Sequence, residues 1–246
     1  MKTIISKTAL IISIILTAQI SISQVSKDSA TIKGSLSVND FEAKLNATKD
    51  AQLIDVRTPD EYNSGHLKDA INMDYWAKDF EQKLTELDPS KHTFVYCLAG
   101  TRSLKAMQMM KKAGFSTVNY LEGGIMKWRV NDKPVTESAT SPTGIGIKES
   151  DYEALIKNGK LVLVDVYAVW CPPCKEMAPI VEQLSNELKD KLQVQKINFD
   201  TNKPLAKSLR VESFPTFIMY KNGKQVWRSE GKMDKAALRL VIDRYL

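Results

Sequence analysis

Three cysteines carry most of the chemistry open to this sequence: Cys97 stands alone, and Cys171 and Cys174 are separated only by Pro172 and Pro173. Two thiols at that spacing can close into a disulfide and reopen, one sulfur attacking and the other resolving. Ahead of them, an apolar, β-branched run of strand length starts at Leu161 and ends in Trp170. Two prolines are tolerated just beyond such a run only where a helix begins. Cys171 is thereby predicted at a helix amino end, where unpaired N–H groups and the helix dipole favour a thiolate with a pKa of roughly 3.5 to 7.5. Cys174, one turn further in, is expected to be more buried and less acidic.

Cys97 opens the loop Cys97-Leu98-Ala99-Gly100-Thr101-Arg102, which follows the buried-strand run Thr93 to Tyr96 and leads straight into a helix. In open α/β sheets, ligands bind at the carboxyl ends of strands. Successive backbone N–H groups in such a loop cradle an anion, and Gly100 permits a backbone shape other residues resist. A cysteine at the start of the cradle would be held as thiolate or persulfide. Cysteine phosphatases use a similar cradle with one more residue between Cys and Arg. The shorter loop here suits a single sulfur atom better than a phosphoryl group.

The elements that must position these loops alternate. Ser37 to Leu45 begins with a capping residue, Gln52 to Val56 is apolar, Arg102 to Lys112 is helical and Thr117 to Leu121 is strand-like. Such alternation with short turns predicts a parallel sheet flanked by helices. The fold class is therefore α/β, in two domains. The segment 136–147, rich in small and polar residues with Pro142 and two glycines, reads as a short linker. A hairpin turn is expected at Asn222 and Gly223, and a last helix from about Asp234 to Tyr245.

Residues 148–246 resemble thioredoxin. Asp165 matches the family's buried acid, which takes up the proton of the resolving cysteine, and Lys196 matches the lysine beside it. Phe214, Pro215 and Thr216 match its cis-proline loop, whose backbone pairs with an incoming substrate strand. Trp170, Pro172 and Pro173 complete the matching site, and both packing and a lid over the thiolate fit Trp170. Residues 37–135 resemble the rhodanese sulfurtransferases, in Leu53 to Arg57 (LIDVR), Glu61 to Leu67 (EYNSGHL), Asp69 to Asn72 (DAIN), the cysteine loop and Leu121 to Trp128 (LEGGIMKW). This resemblance makes Cys97 the persulfide-forming nucleophile and the amides of Leu98, Ala99, Gly100, Thr101 and Arg102 its cradle. Asp55 and Arg57 would be framework. Relatives that use thiosulfate often carry basic residues where this chain has Leu98 and Ala99, leaving Arg102 as the nearby charge for a sulfonate.

The remaining signals set the context. A net charge of +6, dispersed among acids without a run, argues against a nucleic-acid partner. Lys2 and Lys7, the apolar core Ala9 to Leu16 and the small residues Ser21 to Ser23 read as a signal peptide (1–23), followed by a leader (24–36). A periplasmic or secreted location is expected, and in such a compartment three cysteines leave none for structural stapling. His66 and His92 read as structural, and Met107, Met109 and Met110 as core filler. A zinc site on the CPPC pair would lack two ligands, so no metal or cofactor is expected.

The resulting expectation is an enzyme, a thiol–disulfide oxidoreductase joined to a sulfurtransferase. Cys97 would accept sulfane sulfur from a polysulfide, persulfide or thiosulfate, and the Cys171/Cys174 pair would reduce it, with a membrane electron donor restoring the dithiol. The alternatives are a general reductase of disulfide-containing proteins carrying an independent rhodanese domain, or a rhodanese domain acting as a docking or redox-sensing module. The absence of a histidine between Cys171 and Cys174 favours reductase over oxidase chemistry.

Overall fold

The computed structural model describes residues 32–136 and 146–246. The expected signal peptide, most of the leader and residues 137–145 of the expected linker lie outside the described residues. The first half runs β1 (Ser35–Leu36), α1 (Val38–Ala47), β2 (Gln52–Asp55), α2 (Pro59–Asn63), β3 (Ile71–Asn72), α3 (Phe80–Leu84), β4 (Thr93–Tyr96), α4 (Thr101–Lys112), β5 (Val118–Leu121) and α5 (Gly124–Val130). Its sheet has the order β1-β5-β4-β2-β3, and every pairing is parallel. Ser35 and Leu36, read from sequence as leader, pair with Tyr120 and Leu121. Two residues are too few to produce a periodic signal.

Side chains along each strand alternate between two buried faces, as a pleated backbone requires. Leu53, Phe94, Tyr96 and Leu121 pack with Val38 and Phe41 of α1 and Ile125 of α5. Ile54, Val95 and Tyr120 pack on the other face with Phe80 of α3 and Ala106, Met107 and Met110 of α4. Helix starts follow their capping residues. The Ser37 hydroxyl accepts from the Asp40 amide, and Thr58 and Glu61 form a reciprocal capping box at α2.

The second half runs α6 (Glu149–Ile156), β6 (Leu161–Tyr167), α7 (Pro172–Glu187), β7 (Leu192–Asn198), α8 (Lys203–Ser208), β8 (Thr216–Lys221), β9 (Lys224–Glu230) and α9 (Lys235–Tyr245). Its sheet is mixed, ordered β7-β6-β8-β9, with β6 parallel to β7 and antiparallel to β8. Asn222 and Gly223, both at positive φ, make the two-residue turn between β8 and β9. Leu161 and Leu163 of β6 face Met177 and Val181 of α7 and Leu238 of α9. Val162, Val164 and Val166 face the opposite way, into the cluster that holds Leu53, Phe94 and Leu121 of the first half. Lys33–Leu246 forms one compact unit, and this shared apolar cluster joins its two sheets.

Candidate functional site

Cys97 follows β4 directly and is 1% exposed. Two close approaches shape its loop. Gly100 sits at φ 97°, where it serves as the N-cap of α4, and its amide donates to Cys97 Sγ at 3.1 Å. Gly124, also at positive φ, lies against the strand end, and a Cβ there would collide with the Cys97 and Leu98 carbonyl oxygens. Those carbonyls accept from the amides of Ile125 (2.9 Å) and Met126 (3.1 Å), tying the loop to α5. Leu98 is buried, whereas Ala99 and Thr101 are exposed.

Ser103, a residue the sequence reading did not single out, is fully buried, with Oγ 3.5 Å from Cys97 Sγ and 3.0 Å from the Gly100 carbonyl oxygen. Its signal was its place in the first turn of the helix the loop enters. The Arg102 guanidinium donates to both Glu61 oxygens at 2.6 and 2.7 Å. Burial pulls the Glu61 carboxyl up, but the Arg102 hydrogen bonds and the Thr58 amide outweigh it, and the group titrates below its ordinary value.

The framework residues lie beside this loop. Arg57, 1% exposed, donates from Nε and Nη2 to Asp55 and from Nη2 to the Gly65 carbonyl oxygen at 2.8 Å. His66 stacks on Tyr62 with centroids 3.7 Å apart, and His92 bonds Asn119 Oδ1 at 2.7 Å. Met107 and Met110 are core residues of the α4 face, with Met109 packed against them.

At the second centre, β6 ends at Tyr167 and Cys171 is the N-cap of α7, with Pro172 and Pro173 in its first turn. Cys171 and Cys174 are joined as a disulfide, and the Cys174 amide points at Cys171 Sγ at 3.2 Å. Cys174 is not the more buried of the two: Cys171 is 0% exposed and Cys174 is 6%. An N-cap residue is ordinarily the accessible one, but Cys171 belongs to the cluster that includes Leu98, Met126 and Trp128 of the first half.

Trp170 packs edge-on against Phe214 at 5.4 Å, and its Nε1 donates to the Asp200 carboxylate at 3.0 Å. The Phe214–Pro215 bond is cis. Asp165 of β6 is 3% exposed and in register with Lys196 of β7. The Lys196 side chain is exposed, its Nζ lying 5.1 Å over the Tyr167 ring. Burial therefore dominates at Asp165, and its pKa is raised to about 6 despite the pull of the Lys196 charge.

Two family models match the chain: a rhodanese-like domain over residues 37–131 and thioredoxin over residues 145–244. A thioredoxin of Mycobacterium bovis is 39% identical over 105 residues, covering 42% of this chain and 90% of that protein. Thioredoxin Y, chloroplastic, of Oryza sativa subsp. japonica is 47% identical over 81 residues, 33% of this chain and 48% of the relative. A bifunctional thioredoxin reductase/thioredoxin of Mycobacterium leprae is 36% identical over 105 residues, 42% of this chain and 23% of the relative. The chain thus spans about half or less of the length of these last two. It belongs to the thioredoxin family, with a rhodanese-like domain preceding the thioredoxin domain.

Proposed function

We propose that the chain is an exported enzyme that reduces sulfane sulfur by relaying it from Cys97 to the Cys171/Cys174 pair. In the first step the Cys97 thiolate attacks a polysulfide, becoming Cys97–S–S⁻ and releasing a polysulfide one sulfur shorter. The Cys171 thiolate then attacks the outer sulfur, returning Cys97 as thiolate and forming a Cys171 persulfide. Cys174 attacks Cys171 Sγ, expels sulfide and closes the disulfide. The pair loses two electrons and the sulfane sulfur gains them. Asp165, with a pKa of about 6, is suited to take the Cys174 proton above that pH. A membrane electron donor of the exported compartment reduces the disulfide again.

The observation that supports this reading is that Leu98, the neighbour of Cys97, shares one apolar cluster with Trp170 and Cys171, although Cys97 itself packs with Ile54, Val95 and Met107 in the other. Joining the two centres in one chain raises the effective concentration of one at the other above that of separate proteins. The test is intact-protein mass after the reduced chain meets polysulfide. The Cys171→Ser/Cys174→Ser variant is expected to keep one extra sulfur on Cys97, while wild type loses it and gains an internal disulfide. Equal retention by both would overturn the relay and leave a protein-disulfide reductase beside an independent sulfurtransferase.

A further inference from the structure

In a thiol–disulfide enzyme that takes protein substrates, the surface around the attacking cysteine must be open to a second polypeptide. Here it is closed. Trp170 is 5% exposed, Cys171 0% and Phe214 2%. The Arg129 guanidinium, from α5 of the rhodanese-like domain, lies over the Trp170 ring, its Cζ 4.6 Å from the centroid. Its own domain prepares that placement. Arg129 Nη2 donates to the Ser64 carbonyl oxygen at 3.2 Å, and Gly65 makes room, since a Cβ there would occupy the guanidinium's position. From the other side, the Trp170 indole is fixed by Asp200 and by the edges of Phe199 and Phe214. A planar cation over indole is the strongest common form of this contact, and Arg suits it better than Lys.

Two further features lie on the same seam. Lys203 of α8 pairs with Asp132, just beyond α5, at 3.1 Å. A cavity of about 600 Å³ opens between Val130 and Asp132 on one side and Phe199, Lys203 and Val211 on the other. That volume lies in the range of small-molecule sites. None of Cys171, Cys174 and Trp170 lines it, so it marks the seam beside the CPPC face rather than an entrance to the pair.

We infer that Arg129 is a specificity-determining positioning residue. It holds the rhodanese-like domain over Trp170 as the resident occupant of the CPPC face, so folded protein disulfides are excluded from the pair more strongly than small ones. This inference rests on the thiol–disulfide reading of Cys171 and Cys174, but not on the relay through Cys97.

The experiment uses the full chain with dithiothreitol as reductant and compares two disulfides, insulin and the small aromatic 5,5′-dithiobis(2-nitrobenzoate). Wild type is expected to turn over the small disulfide readily and insulin poorly. Arg129→Ala should raise insulin reduction about two- to thirtyfold, the span of a cation–π contact, and leave the small disulfide within about twofold. Arg129→Lys should fall between. Because Arg129→Ala could act by loosening its own domain, Lys203→Glu tests the seam from the other side. It should raise insulin reduction about twofold, the scale of an exposed ion pair, and Lys203→Glu/Asp132→Lys should reverse the rise. If insulin reduction is unchanged in Arg129→Ala and Lys203→Glu, or the charge swap fails to restore exclusion, the inference is overturned. If wild type reduces neither disulfide, the thiol–disulfide reading fails and this inference with it.

Discussion

Asp55 and Asp165 occupy comparable places in the two sheets, each buried on an interior strand, yet their surroundings differ. Asp55 is 0% exposed and gripped by the Arg57 guanidinium, which reaches both of its oxygens. Asp165 is nearly as deep, but no side-chain hydrogen bond reaches it among the described residues, and its one neighbouring cation, Lys196, points to solvent. Burial is costly for a carboxylate unless it is paired and hydrogen-bonded. The first sheet meets that cost with a partner. The second leaves it unmet, so the acid binds its proton more tightly.

Breaking the paired site should have the largest effect. Arg57→Met leaves the Asp55 charge buried alone and is expected to destabilise the rhodanese-like domain by about 3–5 kcal/mol. Urea unfolding would measure this. Asp55→Leu/Arg57→Met, which removes both charges, should recover most of the loss, and a double variant as unstable as the single one would deny that the pair is framework.

At the unpaired site the sign reverses. The folded pKa of Asp165, about 6, lies above its ordinary 3.8. The folded chain therefore binds this proton more tightly than the unfolded chain. Its contribution to stability is fully present below about pH 4, falls as pH rises to 6, and by pH 7 has dropped by about 3 kcal/mol. Asp165→Asn should therefore stabilise the thioredoxin domain by up to that amount at pH 8 and by nothing at pH 4, as paired urea titrations would show. If Asp165 takes the Cys174 proton, the same variant should lose the rise in sulfide release through pH 6 and run about a hundredfold slower above it.

The smallest effect concerns a third carboxylate, Glu61, which accepts both hydrogen bonds of the Arg102 guanidinium. Glu61→Gln keeps an oxygen for the Thr58 amide while releasing the guanidinium. Persulfide formation from thiosulfate, in which Cys97 takes the sulfane sulfur and sulfite departs, should gain about tenfold in kcat/KM, the worth of one charge-assisted hydrogen bond. Sulfite release would report it, and an unchanged rate would remove Arg102 from donor selection.

What could be read in advance follows from how far each signal travels along the chain. The start of β6 at Leu161, the Ser37 cap, the Asn222-Gly223 turn and the placement of Cys171 at a helix start are local patterns, and each stands where local propensity puts it, whereas β6 ends at Tyr167, three residues short of the apolar run that reaches Trp170. Glu61 and Arg102 are 41 residues apart, so only the fold brings them together. The same holds for Arg129 and Trp170, whose meeting depends on how two sheets pack rather than on either motif. The reversed burial of Cys171 and Cys174 has that origin too. A helix start is exposed by default, and here residues of both halves share the apolar cluster that holds Cys171.

The two-residue strand β1 bears on where the chain can safely be cut. Val118–Leu121 is buried throughout, and Ser35–Leu36 is what lies along its outer side. Proteolysis or recombinant trimming that removed Ser35 and Leu36 would uncover a flat, apolar edge whose amides and carbonyls would recruit strands from other copies. A strand of only two residues thus stands between the first domain and its aggregation.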